Sequence, residues 1–562
     1  MLIACAMAAA SADQVASPPA NSAPIQRPAC TAPTVETADG PVCGAASMVR
    51  AADGSGVRPV DAYLGIPYAE TTAGEHRWRP PIPAAVHAGV LNATAFGPAC
   101  PQVDLSAQKA SQSEECLSLN IWTPRREHDD GTTSLPVMVF IHGGSFVAQS
   151  SALPLYDGRH LAASGRVVFV SINYRLGALG FLAGIHGLSG NYGFLDQQRA
   201  LQWLHDNIAR FGGDPDQVTL VGQSAGAMSV GLHLESAGSR PLFRAAIMES
   251  NPYGIPYKTL EVARPFGEGF ALESGCLDDV LDCLRGKSVE DILSAQSSIL
   301  VKVASMLAGF AGELAWAPVI DGDVIPGQPV TAMAEKPLLL GTNANEGVLF
   351  ASGEQLDWLG KVEVPEVLYG GLVELLFPPR ARAEIRELAR YRPVGGDDTA
   401  AMAHLVTDYL FRCPNRLVSL VAAAPVYAYE FTHAPSFNVW PRVPLCAPKT
   451  GNVCHAAEQP FVFGNPMPVL RQAEPTGDRF TPAERVLSER VAGYWISFAE
   501  ALNPNYAGAP AWPAFTEEAR SWQILNTSIT SEQSLHANCP FWDSVGYDIP
   551  GVFTRIVDGL KR

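Results

Sequence analysis

The stretch QVTLVGQSAGAMSVGLHL (217–234) joins a short apolar run, the pentapeptide Gly222-Gln223-Ser224-Ala225-Gly226 and a second apolar run. A buried strand, a sharp turn and a helix follow from that order. The turn strains the backbone at Ser224, and glycines two residues to either side remove the side chains that would obstruct it. The serine hydroxyl is thereby exposed at the start of a helix, where the dipole and unpaired backbone N–H groups favour developing negative charge. Glycine-rich turns of this form also occur without chemistry. The flanking strand and helix are what single out Ser224 as a nucleophile.

The neighbouring segments extend the same architecture. LPVMVFIHGG (135–144) and RVVFVSINYR (166–175) are compact apolar runs bounded by turn signals, as expected of strands buried on both faces of a central sheet. In LDQQRALQWLHDNIARF (195–211), Leu195, Ala200, Leu201, Leu204, Ile208 and Phe211 recur at helical spacing, and Gly212-Gly213-Asp214-Pro215 ends the helix. The alternation predicts an α/β chain with a large, mostly parallel sheet. Cys30 to Ala93, rich in Gly, Pro and β-branched residues, predicts a small N-terminal antiparallel sheet. A helical insertion is expected from about Val364 to Ala424.

Composition narrows the function. The 562 residues carry 39 Lys and Arg against 56 Asp and Glu, a net −17, with no basic block, so nucleic acid is not an expected partner. No run of 18 apolar residues predicts a membrane-spanning helix. Residues 1–29 read as a signal-like segment, MLIACAMAAASA, and a polar linker, leaving 30–562 as one domain. The segment lacks the basic start such signals carry, so a start further upstream is the expectation. Leu2-Ile3-Ala4-Cys5 resembles a lipoprotein box, but without a preceding charged and apolar stretch lipidation is not expected. Secretion or a periplasmic location is.

The eleven cysteines agree with export. Cys5 lies in the signal-like segment, and no C-x-x-C pair suggests zinc or a redox centre. Spacing makes near neighbours of Cys30 and Cys43, Cys100 and Cys116, Cys276 and Cys283, and Cys446 and Cys454, leaving Cys413 and Cys539; connectivity stays open.

A serine attacking a carbonyl creates an oxyanion that needs preorganised donors, each worth roughly 3–4 kcal/mol. His142-Gly143-Gly144-Ser145-Phe146 follows a buried strand, and its glycines let the backbone approach a substrate. Gly144, Ser145 and Ala225 are the expected N–H donors. His142, opening that loop, reads as structural.

These stretches, with YLGIPYAE (63–70), RWRPP (77–81), SEECLSLNIWTP (113–124), GNYGFLDQQRAL (190–201), GTNANEG (341–347) and CHAAEQPFVFG (454–464), closely resemble the type-B carboxylesterase and cholinesterase family. The resemblance spans nearly the whole chain. It implies the α/β-hydrolase fold and a triad of Ser224, Glu346 and His455, in which the histidine shuttles the serine proton and the glutamate orients it. Asp321 and Asp323, in VIDGDVIPG, read more simply as a loop. The resemblance also implies that Cys100 pairs with Cys116, Cys276 with Cys283 and Cys413 with Cys539. Metal and organic cofactors are not required by such a mechanism.

Two departures stand out. Ser145 replaces the third glycine of the family's oxyanion loop. Glu249-Ser250-Asn251 replaces its Gln-Ser-Gly, keeping Ser250 as a support for the acid. The loop between Cys100 and Cys116 holds no aromatic residue to carry a quaternary ammonium, so a bacterial-type carboxylesterase is expected rather than a true cholinesterase. Its expected partner is a small, uncharged, apolar ester. Met306, Phe310 and Trp316 are candidate pocket-lining groups, with ordinary helix packing as the alternative. The rival functions are a non-catalytic adhesion protein on this fold, which would lack a triad member, and an amidase or thioesterase with the same triad. The oligomeric state is not legible.

Overall fold

Alternate residues of the apolar runs pack on opposite faces of one sheet. In 135–141, Val137, Val139 and Ile141 enter one core while Met138 and Phe140 enter the other; Leu338 and Leu340 are divided from Leu339 in the same way. This period of two with both faces apolar is why the runs read as continuous hydrophobic segments. Burying each such side chain contributes about 1.5–3 kcal/mol.

The computed structural model describes residues 33–103, 111–125, 134–297, 314–329, 335–351, 369–371, 373–374, 377–393, 398–469, 480–533 and 536–547. In chain order the strands are β1 (Thr34–Thr37), β2 (Gly40–Cys43), β3 (Ala45–Arg50), β4 (Val57–Pro67), β5 (Leu91–Asn92), β6 (Ser118–Pro124), β7 (Leu135–Ile141), β8 (Val168–Ile172), β9 (Gly213–Gln223), β10 (Ala245–Glu249), β11 (Lys258–Thr259), β12 (Val319–Ile320), β13 (Leu338–Asn343), β14 (Val426–Phe431), β15 (Ser521–Leu525) and β16 (Thr530–Gln533).

Among the described residues, one 11-stranded sheet has the order β16-β15-β14-β13-β10-β9-β7-β8-β6-β4-β3. From β8 to β15 neighbouring strands run parallel, and antiparallel pairs close both edges. This is the α/β-hydrolase architecture expected. A separate sheet, β1-β2-β5, holds an antiparallel β1–β2 pair and a parallel β2–β5 pair.

Because β8 and β9 lie on opposite sides of β7, the strand order reverses there, and the carboxyl ends of these strands flank the crevice where ligands of open α/β sheets collect. The expected helix at 195–211 runs Tyr192–Asn207 and tightens into a 3₁₀ turn, Ile208–Phe211, ended by Gly212 at φ 82°. Within the expected insertion lie helices Pro379–Glu387, Thr399–Val406 and Cys413–Val421, the last two joined by a π-helical turn, Thr407–Arg412.

Candidate active site

β9 ends at Gln223 and the helix Ala225–Glu235 begins at once, leaving Ser224 alone in the turn at φ 56°, ψ −123°. A side chain held there is strained, and close packing enforces it. A Cβ on Gly222 would come within 2.4 Å of Gly226 backbone atoms, and one on Gly226 within 2.0 Å of the Ile141 carbonyl. The Ser224 N–H donates to the Glu249 carbonyl at 2.9 Å, fastening the turn to the end of β10.

The loop after β7 curls beside this turn. Gly144, Ser145 and Phe146 have φ of 93°, 53° and 61°, and the Gly144 carbonyl accepts from Val147 and Ala148. A Cβ on Gly143 would lie 3.1 Å from the Cβ of Ser224, so the two segments are in contact. Among the described residues, the backbone N–H groups of Gly144 and Ser145 make no hydrogen bond. That of Ala225, first in its helix, has no intrahelical partner. His142 is buried, stacks on Tyr174 and hydrogen-bonds the Gly143 carbonyl; burial lowers it to about 4, so it is neutral and packed.

Glu346 follows β13 and His455 follows β14, both buried at the same end of the sheet. His455 Nδ1 donates to Glu346 Oε2 at 2.5 Å. The other carboxylate oxygen accepts from Ser250 Oγ at 2.6 Å and from the Asn343 backbone N–H at 2.6 Å. Ser250 therefore supports Glu346 despite the altered residues around it, and Asn251 is absorbed by hydrogen bonds to the Ala227 carbonyl and from Asn415.

With Nδ1 protonated, Nε2 of His455 carries the lone pair, and its donor is the Gln223 side-chain amide at 3.0 Å. Among the described residues, no hydrogen bond joins Ser224 Oγ to His455. Gln223, the residue before Ser224, was not singled out by its sequence; its position inside the motif was the available signal. Phe350 and Phe411 also went unnoticed. Both ring centroids lie 5.3 Å from that of His455, while Trp440 Nε1 donates to the His455 carbonyl at 2.6 Å. The π-helical turn reaches the loop carrying Glu346 as well: Thr407 Oγ1 accepts from the Gly347 N–H and Arg412 donates to the Ala344 carbonyl.

The carboxylesterase family model matches residues 31–542. The chain belongs to the carboxylesterase family. This carboxylic-ester hydrolase is 36% identical to the para-nitrobenzyl esterase of Bacillus subtilis over 84% of its own length and 92% of that protein. It is 34% identical to the acetylcholinesterase of Bungarus fasciatus, over 86% of its own length and 82% of that protein. Its structure matches a PNB esterase with a TM-score of 0.74 and a thermophilic PNB esterase with 0.76, each at 33% identity and covering 91% of this chain and 99% of the other.

In the carboxylesterase, several of the family-like stretches are structural. Arg77 of RWRPP binds Glu114 through two hydrogen bonds, and Arg175 binds Asp196 likewise, both pairs well buried. Disulfides join Cys100–Cys116, Cys276–Cys283, Cys413–Cys539 and Cys446–Cys454. Cys43 is also disulfide-bonded, whereas Cys30 lies outside the described residues. Asp321 is a loop residue, accepting from Asp323, Ile325 and Asn191. Trp316 packs edge-on against Phe270 in the core; Met306 and Phe310 lie outside the described residues. Among the described residues, no helix is long and apolar enough to cross a membrane.

Proposed function

We propose that this carboxylesterase works through Ser224, His455 and Glu346 and a covalent acyl-enzyme. The observation carrying this reading is the buried Glu346–His455 contact at 2.5 Å, linked by the Gln223 amide to the turn that holds Ser224 at φ 56°. Glu346 holds the imidazole with its lone pair on Nε2. Ser224 Oγ attacks the ester carbonyl while its proton passes to Nε2, which requires the Gln223 amide to yield that position. The oxyanion is met by the N–H groups of Gly144, Ser145 and Ala225, and the imidazolium then protonates the leaving alcohol. Water repeats the sequence on the acyl-enzyme and releases the acid.

The preferred substrates are uncharged, apolar esters. The aromatic-free 101–115 loop and the phenyl ring of Phe350 beside His455 support that choice. The disulfides support an exported protein. A panel of esters varied in acyl length and leaving group tests the preference. Uncharged chromogenic esters should exceed a choline ester in kcat/KM by at least about tenfold, since a missing cation–π platform forfeits of the order of 1–2 kcal/mol; preference for the choline ester would overturn it.

A further inference from the structure

Behind Glu346 lie two more fully buried carboxyl groups, Glu249 at the end of β10 and Glu458 three residues after His455. Asn343 Nδ2 reaches Glu458 Oε2 at 2.6 Å, Ser250 Oγ at 3.1 Å and Glu346 Oε1 at 3.3 Å, so one amide bridges the acid to the second carboxyl. Gln459, the residue after Glu458, donates its amide to Glu249 Oε2 at 2.5 Å, and Trp495 Nε1 donates to Glu249 Oε1 at 2.5 Å. Glu249 is the departure noted in the sequence, standing where the family's stretch carries glutamine.

The two carboxyls differ in their hydrogen bonds: each oxygen of Glu249 accepts an N–H, whereas Glu458 has one oxygen with a donor and one without, the inventory of the member that holds the proton. Among the described residues, Glu458 Oε1, Gln459 Oε1 and the Tyr429 hydroxyl are buried without partners. A charged oxygen without a donor is strongly disfavoured there, whereas a carboxylic acid is not. Turned over, the Gln459 amide would accept from a neutral Glu249. Glu458 is the charged neighbour acting on Glu249, and Glu346 and His455 are those acting on Glu458. The facing Tyr156 and Tyr429 are held neutral by burial. Burial first, then the neighbouring carboxyl, pushes Glu249 well above the ordinary carboxylate range; burial and Glu346 do the same to Glu458.

We propose that Glu249 and Glu458 share a proton and, through Asn343 and Glu346, set the charge against which His455 works. They are positioning residues, not groups that touch substrate, and their effect on catalysis rests on the assignment of Ser224, His455 and Glu346 above. As the pair loses its proton, negative charge accumulates behind the imidazole and favours its charged form. Activity then carries an ionisation belonging to the pair as well as that of the base.

Glu249→Gln tests this, because glutamine keeps the shape and the unpartnered Gln459 oxygen can accept its N–H. Two curves are measured, kcat/KM for a chromogenic short-chain ester and melting temperature, between about pH 5 and pH 8. A carboxyl raised in the folded chain stabilises it fully below the unfolded value of 4.5, and that stability is lost as pH rises through the folded value. Wild type should therefore melt lower as pH rises, and the variant should lose part of that dependence. The ratio of kcat/KM between the two ends should change by about threefold or more. Should Glu249→Gln fail to fold, Glu458→Gln serves in its place with the same expectations. Superimposable curves in either measurement would overturn the proposal. A wild type that hydrolyses no ester would instead tell against the triad, and the melting curves would then decide the shared proton alone.

Discussion

The Gln223 amide donates to Nε2 of His455 at 3.0 Å, the nitrogen that accepts the serine proton in the proposed mechanism. The imidazole is thus held on both sides, by Glu346 at Nδ1 and by Gln223 at Nε2. A neutral amide can exchange this bond for one to substrate or serine without leaving a buried charge behind.

Replacing that amide by a carboxylate changes its electrostatics but hardly its shape. In Gln223→Glu a negative charge faces the imidazole and favours its protonated form, which is inactive as a base. The acid limb of the kcat/KM profile should move to higher pH by about one unit or more. A pH–rate profile checks this, and an unmoved limb would show that residue 223 does not face the working base.

Ser250 holds Glu346 from behind, through a 2.6 Å bond between buried groups. Removing a donor to a buried carboxylate costs about 1–3 kcal/mol. Ser250→Ala should lower kcat by roughly tenfold while leaving KM nearly unchanged, since the serine does not reach the cleft. A change confined to KM would contradict this account.

The Cys446–Cys454 bridge ends one residue before His455, and Val453 is tied to Asn345 by two hydrogen bonds of 3.0 Å. The loops carrying Glu346 and His455 are thereby clamped to one another. Opening the short loop by Cys446→Ser with Cys454→Ser removes only about 2–3 kcal/mol of chain-entropy stabilisation. Turnover should fall proportionately more than the melting temperature, and unchanged turnover would reject the positioning role.

What could be read in advance follows physical scale. The strand, turn and helix around Ser224 are encoded locally, by apolar runs and by glycines at points of close approach. β9 nevertheless runs past the apolar run before the pentapeptide, to Gln223, because Gly222 pairs with Ile141 and Gln223 with Glu249, neighbours distant in the chain. The Gln223–His455 contact joins residues 232 apart, so the motif that marks Gln223 does not name its partner. The carboxyl pair was invisible for the same reason. Glu249 stood out only as a departure, and Glu458 as an unremarked letter of CHAAEQPFVFG. The π-helical turn read as ordinary helix, because its pattern differs from an α-helix by one residue per turn; its consequence is Arg412, which bonds both Asp408 and Glu430 at 2.5 Å and holds the acid loop.

Hydrolysis of a chromogenic short-chain ester by wild type and by Ser224→Ala, at matched melting temperatures, is the most direct test of the chemistry assigned to this cleft. The rate of the variant should fall by at least about 10³-fold, leaving only what oxyanion donors and binding supply. Retention of the wild-type rate in the absence of that hydroxyl would contradict the account.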